Sequence, residues 1–154
     1  RQGSIDADLV SSASIGILGH AVRQIGGFDP LFWPGCHEDT DFCARLKSAG
    51  FRVVVDRATP VRQMVSTTMG RVLGEGYRVH CQATGVVYAA MNYPLPIAVG
   101  RLVQASLSSL LAREPRWRRG DANGLLRCAR DWLYILRARR FRKGLRRARP
   151  ALLG

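Results

Sequence analysis

A chain of 154 residues, 47% of them hydrophobic, has apolar content for one packed domain and little room for a second, so one domain with a basic appendage is the starting expectation for a formal net charge of +13. Its four cysteines, Cys36, Cys43, Cys81 and Cys128, form no C-x-x-C pair and no regular spacing, which signals neither a disulfide framework nor a zinc ribbon and makes a reducing compartment the simplest expectation. The opening RQGSIDADLV carries no start methionine, no basic segment before an apolar run and no small-residue cleavage site, so it reads as a chain entered midway and not as a signal peptide.

Residues 6–19, DADLVSSASIGILG, are small, β-branched and apolar, which predicts a buried strand. Ala21, Val22 and Ile25 follow at helical spacing until Gly26-Gly27 stops them. After the Pro34-Gly35 turn, Phe42, Leu46 and Ala49 recur at intervals of four and three, Asp41 sits four residues before Arg45, and Gly50 closes a second predicted helix. FRVVVD (51–56) reads as another buried strand, and 60–80 as loop with a short helix. From Cys81 to Gly100 no residue is charged, yet Asn92, Pro94 and Pro96 interrupt the run, so an interfacial segment fits better than a spanning helix.

Charge is placed unevenly. Residues 1–112 hold 10 Lys+Arg against 8 Asp+Glu, whereas 113–154 hold 14 against 3. Within that tail Leu125, Ala129, Trp132, Leu133 and Leu136 share one predicted helical face flanked by Arg127, Arg130 and Arg137, which suits an anionic bilayer; an amphipathic helix capping its own domain explains the pattern equally well. Dense arginine would also meet nucleic-acid phosphates, although no stacking platform and no helix-turn-helix or RNA-binding signature accompanies it.

The carboxylates Glu38, Asp39 and Asp41 open the second predicted helix. Acidic residues there complement the positive end of the helix dipole and need no further chemistry to explain them. The wider segment GGFDPLFWPGCHEDTDFCARLKSAGFRVV (26–54) adds an ordered series: Gly26, Gly27, Phe28 and Asp29; Phe32 and Trp33; Glu38 and Asp39; Asp41 and Arg45; Ala49, Gly50 and Phe51. In this order they resemble the acceptor-side segment of family 2 glycosyltransferases, and the resemblance covers roughly residues 6–80.

The resemblance implies an α/β chain. Residues 1–80 would be the acceptor and catalytic-base half of a GT-A-like, Rossmann-like domain, followed over 81–154 by a helical, basic tail that meets a membrane. It implies inverting transfer of a sugar from a nucleotide-sugar donor to a hydroxyl acceptor, a sugar or a lipid-linked one, at the inner, cytoplasmic face of the cell membrane. Asp39 would be the general base, with Glu38 beside it; Trp33, His37 and Asp41 would line the acceptor, and Arg62 would face the donor diphosphate. Relatives hold that diphosphate through a divalent metal, Mg or Mn, gripped by an Asp-x-Asp upstream. Asp6-Ala7-Asp8 and Asp39-Thr40-Asp41 both lie elsewhere in the pattern, so no metal ligand is assigned in this chain, and taken alone it would be inactive. Arg62 stands where many relatives carry a histidine. Cys36, His37, Cys43, His80 and Cys81 have spacings that fit no usual zinc set, and buried thiols are the simpler expectation. The competing class is a basic nucleic-acid-binding module using 113–149, although no nucleic acid is the expected partner.

Overall fold

A computed structural model describes residues 3–62 and 74–148, and most of them are helical. Two three-residue strands, β1 (Ser4–Asp6) and β2 (Val54–Asp56), pair antiparallel with Ile5 opposite Val55. They form a two-stranded sheet whose residues are all exposed. This corrects the α/β, Rossmann-like expectation. Apolar composition over 6–19 and 51–56 suggested buried strands, but a strand is buried only when neighbours pair on both edges and layers cover both faces, and the described residues supply neither. Residues 7–18 are irregular, and of the second run only 54–56 is strand.

Among the described residues six α-helices carry the fold. α1 (Gly19–Ile25) stops at Gly26, whose φ of 80° suits glycine. α2 (Glu38–Ser48) has Glu38, Asp39 and Asp41 in its first turn and Arg45 and Lys47 in its last, an order that complements the helix dipole. α3 (Tyr77–Asn92) ends just before Pro94, and α4 (Leu95–Leu111) starts after it. α5 (Pro115–Arg130) begins on a proline that no helix interior would accept, and α6 (Trp132–Ala148) follows across Asp131. The single face foreseen over 125–136 is therefore divided between two helices.

Two apolar clusters form the core. One gathers Ala21, Ile25, Phe42, Leu46 and Val53 with Leu145 of α6; the other gathers Phe32 with Val87, Ala90 and Met91 of α3 and Ile135 of α6. Both draw on residues from either side of residue 80.

α3 and α5 pack at unusually close range because α5 presents glycine there. A Cβ on Gly124 would stand 2.7 Å from Val86 Cβ and 2.9 Å from the Ala83 carbonyl, and one on Gly120 would stand 2.5 Å from Gln82 Cβ. Between them Asp121, fully buried, accepts from Gln82 Nε2 at 2.8 Å and from Arg101 of α4 at 3.0 Å, so one carboxylate ties three helices together. Gly124→Ala is expected to cost about 1–3 kcal/mol by forcing the helices apart. A fall in the urea midpoint at unchanged slope checks it, and an unchanged midpoint would show that the helices are not in contact at Gly124.

Candidate functional site at the opening of α2

The loop before α2 has an uncommon backbone. Gly35, Cys36 and His37 have φ of 154°, 71° and 67° in succession, and for the two non-glycine residues the left-handed region carries a steric cost. Contacts with α3 hold the loop there. Cys36 is disulfide-bonded to Cys81, which corrects the expectation of buried thiols at these two positions. The Gly35 carbonyl lies 2.7 Å from His80 Nε2.

His80 has its tautomer set by its neighbours. Arg127 can only donate, and its guanidinium reaches His80 Nδ1 at 3.3 Å, so Nδ1 accepts and Nε2–H donates to Gly35. Burial, reinforced by the Arg127 charge, holds this imidazole below the usual histidine range against the opposing pull of the Gly35 bond. His37 is lowered too, first by burial and then by His80, with Asp39 pulling the other way. Its Nδ1 lies 3.1 Å from Thr84 Oγ1, whose own proton is directed to the His80 and Cys81 carbonyls, so Nδ1–H donates.

Both histidines are therefore favoured neutral in the folded chain, and the sign of the pH dependence follows. Their contribution is present above the unfolded histidine pKa of about 6.5 and is lost as pH falls from there through the lowered folded values. His80→Gln, which keeps a donor for Gly35, is expected to flatten the decline of the urea midpoint on acidification below about pH 6.5. An identical decline in the variant would mean that His80 does not titrate with folding.

Glu38 and Asp39 follow this loop directly. Ser12 Oγ lies 3.5 Å from Glu38 Oε1, while Glu38 Oε2 is shielded from solvent without a hydrogen-bond partner among the described residues. Asp39 is partly buried, and its Oδ1 accepts from the Thr40 backbone N–H at 2.8 Å.

Beside His37 opens a cavity of about 410 Å³ lined also by Tyr77, Arg78, Cys81 and Gln82 of α3 and by Glu114, Arg116 and Trp117 at the start of α5. Within it Arg116 pairs with Glu114 at 2.6 Å and Gln82 Nε2 donates to Asp121, which leaves aromatic faces, the Arg78 guanidinium and the Gln82 side-chain carbonyl oxygen as groups that would suit a polyhydroxylated ligand. Of the residues foreseen from sequence only His37 lines this cavity. Tyr77, Arg78, Gln82, Glu114 and Trp117 were not foreseen, because α3 and the start of α5 meet only in the folded chain. The Gly120/Gly124 spacing was the one local signal for that meeting.

The other foreseen residues are placed elsewhere. Trp33 precedes a cis bond to Pro34 and is 78% exposed. Arg62 lies exposed in the loop after β2. Asp41 does not face the cavity: it is fully buried, bound by Arg45 Nε at 2.8 Å, by Arg142 of α6 at 2.6 Å and by Asn92 of α3 at 2.9 Å. Arg45 in turn donates to the carbonyls of Ile25 and Gly27, both at 2.8 Å, and Arg142 reaches Asp29 at 3.4 Å. Asp29 also accepts from the Leu31 N–H. Gly27, Asp29, Asp41 and Arg45 thus belong to one polar cage that pins α2 between α3 and α6.

Among the described residues no three His, Cys, Asp or Glu side chains stand together as a metal-holding set. Cys36 and Cys81 are engaged with each other, Cys43 is a buried thiol whose pKa burial raises, and burial also pushes the Cys128 thiol up to about 11. No protein-family model, curated protein or solved structure matches the chain.

Proposed function

We propose that this chain is the acceptor-side part of an inverting glycosyltransferase, with Asp39 as general base and Glu38 beside it. The observation that carries the proposal is the opening of α2, where a loop held on α3 by a disulfide and by His80 sets Glu38 and Asp39 next in sequence to His37, which lines a cavity of about 410 Å³ that the two carboxylates themselves do not line. The ordered resemblance over 26–54 supports it independently of any sheet.

In the proposed reaction an acceptor hydroxyl oxygen attacks the anomeric carbon of a nucleotide-sugar from the face opposite the nucleotide. The bond from that carbon to the phosphate oxygen breaks, the nucleotide diphosphate leaves with the electron pair, and Asp39 takes the hydroxyl proton. The cavity would orient the acceptor through Gln82 and Arg78, with Trp117 stacked on a ring face. Exposed Arg62 is proposed for the leaving diphosphate. The proposal assigns no residue of this chain to hold Mg or Mn, and no step is routed through a metal.

No helix among the described residues is long and apolar enough to cross a membrane. Attachment to a membrane surface is part of the proposal. The Cys36–Cys81 bond weighs against a reducing, cytoplasmic face, because such bonds persist chiefly in oxidising compartments. The test is transfer by the intact protein carrying Asp39→Asn: loss of transfer with the fold retained supports the proposal, and undiminished transfer removes it.

A further inference from the structure

α4 is built in reverse of an ordinary surface helix. Its one charged residue, Arg101, turns inward to Asp121, and its buried positions are the small Ala98 and Ala105. Its outward positions carry no charge at all. They include Leu95, Val99, Val103, Leu107, Leu110 and Leu111, of which Val103 is 53%, Leu110 70% and Leu111 75% exposed. An apolar face of this breadth on a lone water-facing helix calls for a partner.

What borders that face identifies the partner. At the start of α4, Pro94 and Leu95 help line a groove of about 530 Å³ with Arg139, Arg140, Lys143 and Arg146 of α6, and no carboxylate among the described residues lines it. Arg140, Lys143 and Arg146 have no ion-pair partner among the described residues. At the other end Arg118 of α5 donates to the Ser109 carbonyl in the last turn of α4, and the exposed Arg113 and Trp117 stand close by in sequence, beside the Arg116–Glu114 ion pair. An uncharged strip with cations at both ends and an aromatic at one edge matches an anionic bilayer: acyl chains under the strip, phosphates at its ends. A second copy of this chain fits poorly, since it would bring two charges of +13 together. With 17 residues and its inner face packed on the bundle, α4 lies along the interface and does not span.

We infer that the outward face of α4, together with the basic groove at its start, docks this chain on anionic lipid bilayers. This deepens the membrane attachment proposed above by naming the surface. It is independent of sugar transfer, because vesicle binding is measured without donor or acceptor.

The experiment is co-sedimentation of the full chain with phosphatidylcholine vesicles containing phosphatidylglycerol, and with phosphatidylcholine alone. Binding to the anionic vesicles is expected to be tighter by at least about tenfold, and Arg140→Gln and Lys143→Gln to weaken it about fivefold each. Val103→Asp, at an exposed position, is expected to weaken binding about tenfold with an unchanged circular dichroism spectrum. Should that variant not fold, the chain keeping Trp117 alone (Trp33→Phe, Trp132→Phe) gives a second reading: its emission is expected to shift blue on anionic vesicles and to be quenched by brominated acyl chains. Wild type left in the supernatant overturns the inference. So does vesicle binding that Val103→Asp leaves intact, whether because the face pairs two copies, seen as a dimer in sedimentation velocity, or because the cations serve duplex DNA equally well. Unshifted, unquenched Trp117 emission overturns it too.

Discussion

Asp41→Ala is expected to lower the stability of the chain by about 3–5 kcal/mol, a large part of the 5–15 kcal/mol typical of a domain. The carboxylate is fully buried between Arg45 and Arg142, so its removal leaves two guanidiniums close together inside the protein. Arg142 is already only partly satisfied, with Nε and one terminal nitrogen buried and without a partner among the described residues, and its remaining contact to Asp29 is the longer one at 3.4 Å. Asn92 would lose the shorter of its two acceptors as well, keeping only the Tyr88 carbonyl at 3.3 Å. The cost therefore combines lost attraction with the desolvation of charges that no longer have a partner. Urea unfolding of the single variant and of Asp41→Leu combined with Arg142→Met separates these terms. The double variant should recover part of the loss, because it removes one of the two stranded guanidiniums, while Arg45 stays, held by the Ile25 and Gly27 carbonyls. A single-variant loss below about 1 kcal/mol would place Asp41 among surface ion pairs instead.

The same residue shows where sequence reading succeeds and where it stops. The i,i+4 spacing of Asp41 and Arg45 was visible, and the two do pair on α2. Arg142, 101 positions away, was invisible, and with it the fact that Asp41 is a clamp in the core. The span and charge order of α2 were legible because acidic first turn, basic last turn and terminal Gly50 are local signals. The sheet was not: apolar residues over 6–19 look alike whether they pair in a layer or cover a helix, and only distant partners decide which. The uncharged run from Cys81 to Gly100 likewise hid two fates. Its first part, in α3, is largely buried, while its second begins the exposed face of α4, and the break falls at Asn92–Pro94 as the proline chemistry indicated. Cys36 and Cys81, 45 residues apart, follow no spacing rule, so their bond had to be seen to be known.

Asp39→Asn is expected to have the largest effect on activity. An amide keeps the shape of the side chain and can still accept from the Thr40 N–H, but it cannot take a proton from the attacking hydroxyl. Loss of a positioned base costs about 10²–10⁴-fold in kcat, with little change in acceptor KM if Asp39 acts chiefly in the transition state. Glu38→Gln should cost less, because Glu38 has one oxygen engaged by Ser12 and the other shielded from solvent. Asp41→Asn should act through stability alone, leaving turnover per folded molecule close to wild type.

The decisive measurement is the rate of sugar transfer by the intact protein carrying Asp39→Asn, normalised to folded protein and set beside Asp41→Asn. The account predicts a fall of about two to four orders of magnitude for Asp39→Asn and near wild-type turnover per folded molecule for Asp41→Asn. Transfer by Asp39→Asn within about twofold of wild type, well short of what loss of a general base costs, would contradict it.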